Sequence, residues 1–168
     1  SGAMWVWKLN SVSGDQLWSL SLSNLDGDSD VPHIRLPGPV IANLDSDSTP
    51  EMIISIPTDA DGSNSVDGAE FRGLEIDDGT EIWSFEAVNG YADAPPLAID
   101  TDDDDIIDRV CWVTWYQETT ARHGHAGCHD VSGNNPQIDW YNDLEQSSGS
   151  PNDEIAVAQP VCMEIDGS

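Results

Sequence analysis

Two stretches of this 168-residue chain superimpose without a gap at an offset of 57 residues: GPVIANLDSDSTPEMIISI (38–56) and PPLAIDTDDDDIIDRVCWV (95–113). Pro39 falls on Pro96, Asn43 on Asp100, Asp45 on Asp102, Asp47 on Asp104 and Glu51 on Asp108. A chain that repeats in this way folds as copies of one small unit, and each copy buries its apolar face only by stacking on a neighbour. A third copy begins at QPVCMEIDGS, where Pro160, Glu164, Asp166 and Ser168 take the corresponding places at a further offset of 64. It stops before its ninth loop position, which reads as a slice of something longer.

A second unit alternates with the first. VWKLNSVSGDQLWSLSL (6–22) matches FRGLEIDDGTEIWSFEA (71–87), with Leu9 on Leu74, Gly14 on Gly79 and Trp18 on Trp83. A looser copy, CHDVSGNNPQIDWYNDL, carries Gly133 at the turn and Trp140 at the aromatic position, with a longer turn between them. Each copy has the pattern of a hairpin, strand then glycine-containing turn then strand. The helical period is absent, and 14 Gly and 10 Pro interrupt the chain too often for long helices. The expected fold is all-β, a slice of a β-propeller with about two to three blades of antiparallel strands. A β-sandwich shares the strand rhythm but does not explain the same signature residues recurring in each copy. The whole of 1–168 reads as one repeat region, with units at about 4–56, 69–115 and 128–168 and a long hairpin loop at 116–136.

Charge narrows the function. Five Lys and Arg stand against 32 Asp and Glu, a formal net charge of -27. Such a surface repels phosphate, so nucleic acid is not expected as a partner, nor is an anionic membrane surface. No apolar run is long enough for membrane insertion as a helix, and no secretory leader is visible. Disorder is the other reading of an acidic chain, but 7 Trp and regular Val/Ile runs supply a core that disordered chains lack. Self-repulsion of this size calls for bound cations or for a salty environment, and the two are compatible.

The repeated loops meet the first requirement. Asp100, Asp102, Asp104 and Asp108 occupy loop positions 1, 3, 5 and 9, and Ile106 at position 7 can offer its carbonyl. Asn43, Asp45, Asp47 and Glu51 repeat the pattern, with Thr49 at position 7. Hard oxygen ligands in that number suit Ca²⁺ better than Mg²⁺, which demands a strict octahedron. One acidic run alone would read as a solvated loop; two in register, each flanked by an apolar strand, point to metal. With one carboxylate fewer, the first loop is expected to bind more weakly than the second. DADGSNSVD (Asp59, Asp61, Ser63, Ser65 and Asp67) and NLDGDSD (Asn24, Asp26, Asp28 and Asp30, then Pro32) are weaker versions, read more readily as acidic turns.

The units PVIANLDSDSTPEMII and PLAIDTDDDDIIDRVCW resemble the FG-GAP/VCBS-type repeats of integrin-like β-propellers, and LNSVSGDQLW and LEIDDGTEIW resemble the outer strands of PQQ-like blades. The combination is similar to the calcium-binding propeller of PilY-type pilus-tip adhesins. Ser48 and Asp105 stand where such loops usually carry a glycine. The resemblance implies a secreted or cell-surface protein that binds calcium and serves adhesion, surface scaffolding or assembly, and no enzyme. Its partners would be a surface protein, a glycan or neighbouring copies of itself. The alternative is a propeller domain of a secreted polysaccharide-degrading or quinone-dependent enzyme. Nucleophile elbows, phosphate-cradling loops and HExxH are all absent from the sequence.

One stretch breaks the repeat, CWVTWYQETTARHGHAGCHD. The reading that leads is a disulfide from Cys111 to Cys128 stapling the hairpin; free thiols are the alternative, and a transition metal held by Cys128 with His123, His125 and His129 is the weakest of the three. Cys162 is the third cysteine.

Overall fold

The computed structural model describes residues 5–21, 37–47, 49–58, 68–87, 90–92, 94–117 and 122–144. The acidic runs at 24–30 and 59–67 and the partial loop at 160–168 lie outside them.

Among the described residues the chain is all-β and contains no helix. β1 (Trp5–Leu9) and β2 (Gln16–Ser21) form a two-stranded hairpin. β3 (Val40–Ala42), β4 (Glu51–Thr58), β5 (Gly68–Leu74) and β6 (Glu81–Glu86) form a four-stranded antiparallel meander. β7 (Leu97–Ile99), β8 (Arg109–Gln117), β9 (Arg122–Asp130) and β10 (Gln137–Leu144) form a second sheet with the same sequential order. The antiparallel, all-β expectation holds, and two successive meanders of equal order are compatible with propeller blades. Among the described residues no sheet closes on itself.

The physical unit is phased differently from the sequence units. Each acidic loop joins the first two strands of a sheet whose last two strands are the hairpin that follows it, not the one before. The stretch 116–136 also differs from the long loop expected there, because nine residues of it, Arg122–Asp130, form β9. Its Gly- and His-rich sequence has little strand propensity. It is held in place by continuous pairing to β8 on one edge and by pairing to β10, with one register shift, on the other.

The hairpin repeat is reproduced in detail. The register shifts between Lys8 and Leu9 against β2, and between Gly73 and Leu74 against β6. Gly14 and Gly79 both take the left-handed conformation, with φ of 76° and 78°. Each closes its turn by donating its N–H to the carbonyl four residues earlier, Asn10 and Glu75 respectively. Gly133 is not left-handed, so the third, longer turn is built differently.

The middle sheet is buried on both faces. Side chains alternate along β4, sending Met52, Ile54 and Ile56 to one side and Ile53 to the other. On the first side they meet Leu74, Val6, Trp18 and Leu20, which seals the hairpin onto the sheet. The Trp18 indole N–H donates to the Ile76 carbonyl at 2.8 Å, and Lys8 pairs with Asp77 at 2.9 Å. On the second side Ile53, Phe71, Trp83 and Phe85 pack against Val110 and Trp112 of the next sheet. Trp18 and Trp83, equivalent in the repeat, therefore do equivalent work, each filling the gap between its own unit and the following sheet. Trp140, next in the series, is 47% exposed.

Cys111 and Cys128 face each other across β8 and β9 and are joined by a disulfide. The link closes 17 residues of chain, for which loop entropy gives about 3 kcal/mol of stabilisation. Unfolded, unreduced protein should therefore release one thiol per chain in an Ellman titration, and replacing both Cys111 and Cys128 by Ser should lower the unfolding free energy by about 2–4 kcal/mol. Packing makes a second prediction. A Cβ at Gly73 would lie 2.6 Å from the Trp83 ring and 2.9 Å from Leu44. Gly73→Ala should thus cost about 1–3 kcal/mol in urea unfolding, as overpacking does.

Candidate metal centre

Both acidic loops connect the first two strands of their sheets, 43–50 between β3 and β4 and 100–108 between β7 and β8. They lie side by side. Asn43 donates its side-chain amide to the Asp105 carbonyl at 2.8 Å, and the Ile107 N–H donates to the Asn43 carbonyl at 2.9 Å. Asp105 itself is left-handed, with φ of 69°. Aspartate tolerates that conformation better than most side chains, which is how this loop turns without the glycine of the resembling repeats.

In the first loop the structure brings together Asp45, Asp47 and Glu51, with one oxygen of each within 4.8 Å of the others. The Asp45 carboxylate accepts the Asp47 N–H at 2.8 Å, and Asp47 accepts the Thr49 N–H at 2.6 Å. Glu51 opens β4 and is fully buried. Its Oε2 accepts the Leu44 N–H at 2.5 Å, while its Oε1 has no hydrogen-bond partner. Burial pushes the Glu51 carboxyl above its ordinary range, and the charges of Asp45 and Asp47 push the same way, against the backbone N–H groups of Leu44 and Asp45.

The second loop brings together Asp100, Asp102 and Asp108 but not Asp104. Asp104 is exposed and accepts the Ile106 N–H at 2.9 Å. Here the key acids are already partnered. Asp100 accepts N–H groups from Asp102, Asp103 and Asp105, and Asp108 accepts both the N–H and the hydroxyl of Thr101. Partial burial would raise Asp100, but those backbone donors, led by Asp105, outweigh it and hold the carboxyl below its usual range. Asp102 shifts the other way, chiefly because of the Asp104 charge. Arg109 stands close by, bound to Asp139 at 2.7 Å and to the Thr101 hydroxyl at 3.2 Å.

Glu75 was not among the residues singled out from sequence. It sits on the β5–β6 turn, and its carboxyl is raised by burial and by the charges of Asp45, Glu51, Asp47 and Asp78. Glu75 and Asp45 line one cavity of about 490 Å³ beneath the first loop, with Trp83 and Ile106. No spacing rule could have found it, because it reaches the loop across the sheet.

The donor set fits a hard divalent cation: carboxylate oxygens in a tight loop, one of them buried and without a partner. Thr49 and Ile106 lie at the seventh positions, each donating its own N–H to the acid two residues before.

Among the described side chains, the His and Cys cluster does not come together as a metal site. Cys128 is consumed in the disulfide. It lies on the face of β9 opposite to His125 and His129. His129 points into the core, where it stacks on Phe85 with ring centroids 3.8 Å apart and accepts the Trp112 indole N–H at 3.1 Å. His125 is buried beside Tyr141, with its Nδ1 2.6 Å from the phenol oxygen. Among the described residues the groups that could hold a metal are the two acidic ones.

No family model matches the chain, and no curated protein matches it.

Burial lowers the His129 pKa from 6.5 to about 4. A depressed histidine makes the native state the poorer proton acceptor, so its contribution is fully present above pH 6.5 and is lost as pH falls toward 4. The full loss is about 3 kcal/mol. In an NMR titration the His129 imidazole should stay neutral at pH 5; a midpoint near 6.5 would contradict the packing described here.

Proposed function

We propose that this chain is a calcium-binding β-propeller module of the FG-GAP/VCBS-like and PQQ-like type, working outside the cell in adhesion, surface scaffolding or assembly. The observation that carries the reading is the recurrence of one acidic loop at the same place in two successive sheets, together with the buried, unpartnered Glu51 oxygen in the first. Calcium would be held by Asp45, Asp47 and Glu51, with Asn43 and Thr49 as further oxygen donors, and by Asp100, Asp102 and Asp108 in the second loop. Its role is structural, since each ion would fix the link between the first two strands of a sheet.

Two further observations support the setting. The Cys111–Cys128 disulfide is chemistry of an oxidising compartment. Exposed Trp5 and Trp7 at one end of the stack and Trp140 at the other are large apolar groups of the kind that further sheets or a partner would cover.

Thermal melts in EDTA and in millimolar Ca²⁺, at low and at high NaCl, test the proposal. Site-bound calcium should raise the melting temperature at both salt levels. Rescue by NaCl alone, with no added effect of Ca²⁺, would mean an acidic surface adapted to salt and would remove the calcium reading.

A further inference from the structure

Carboxylate count ranks the second loop as the tighter cation site, but the burial and hydrogen bonding of the two loops differ in the opposite sense. We infer that the loop at Asp45, Asp47 and Glu51 takes the first divalent cation and carries most of the cation-dependent stability, while the loop at Asp100, Asp102 and Asp108 holds its shape without one. The inference rests on the calcium reading above and concerns how the ions divide between the loops.

Three contrasts argue for it. Glu51 is buried with its Oε1 lacking a hydrogen-bond partner, so the apo protein bears the cost of a carboxylate only partly compensated by backbone N–H groups, and a cation at that oxygen removes it. In the second loop a cation gains less, because Asp100 and Asp108 are already satisfied by four backbone N–H groups and the Thr101 hydroxyl. Charge from elsewhere in the fold adds to the difference. Glu75 brings a further carboxylate into the field of the first loop, whereas Arg109 brings a cation to the edge of the second. Among the described residues, none of the ion pairs made by Lys8, Arg72 or Arg109 reaches Asp45, Asp47 or Glu51.

The test compares Glu51→Gln with Asp108→Asn in the whole chain, by melting in EDTA and in Ca²⁺ and by calorimetric Ca²⁺ titration. Glu51→Gln should melt above wild type in EDTA, lose most of the Ca²⁺-induced rise, and weaken the tighter binding step at least tenfold. Asp108→Asn should keep both the rise and the tighter step. The opposite pattern, with the rise lost in Asp108→Asn and kept in Glu51→Gln, overturns the ranking but leaves calcium binding intact. Absence of any Ca²⁺ response in wild type overturns both. Should Glu51→Gln not fold, the exposed pair Asp47→Asn and Asp102→Asn makes the same comparison, with the loss expected in Asp47→Asn.

Discussion

The fold depends on the middle sheet being covered on both faces. A meander of four strands, one of them only three residues long, cannot close a core alone. β4 accordingly alternates between two apolar clusters, one shared with the β1–β2 hairpin and one with the next sheet. Stacking is the consequence, and the tryptophan of each of the first two hairpins is the piece that fits one unit to the next. Trp18 seats on the turn at Ile76 and Gly79, while Trp83 packs beneath Gly73 and against Phe85. The seat is not identical in the two cases. Trp83 is buried with its indole N–H unpartnered, and it borders the cavity where the longer 131–136 turn replaces the tight glycine turn.

Stacking also brings the acidic loops together. Because β3 and β7 open successive sheets, the links that follow them lie at neighbouring positions, joined by Asn43, Asp105 and Ile107. Asp105 is gripped from both sides: its N–H goes to Asp100 in its own loop and its carbonyl accepts from Asn43 in the other. Asparagine at the first position of one loop and aspartate at the first position of the other is therefore a division of labour. The asparagine alone has a side-chain donor to offer the neighbouring loop.

The same arrangement shows where charge counting falls short. Counted along the chain, the second loop is richer in acid. In space, Glu75 joins the first loop and Arg109 attends the second, and the burial of Glu51 separates two otherwise similar closing acids. Asp104, a ligand candidate by spacing, is turned to its own loop backbone instead.

The sequence by itself determined the all-β class, the alternation of hairpin and acidic loop, the glycine turns at Gly14 and Gly79 and, Asp104 excepted, the acids that come together in each loop, because these are encoded at fixed spacing within one unit. Tertiary structure decided what spacing cannot encode. It phased each acidic loop with the hairpin that follows, since cross-strand pairing fixes which strands share a sheet. It made a strand of the His- and Gly-rich segment, because β8 and β10 pair with both its edges. It placed Cys128 and His129 on opposite faces, giving one to a disulfide and the other to the core. Above all it buried Glu51 fully and Asp108 only in part, a difference of environment between two residues that the repeat itself treats as equivalent.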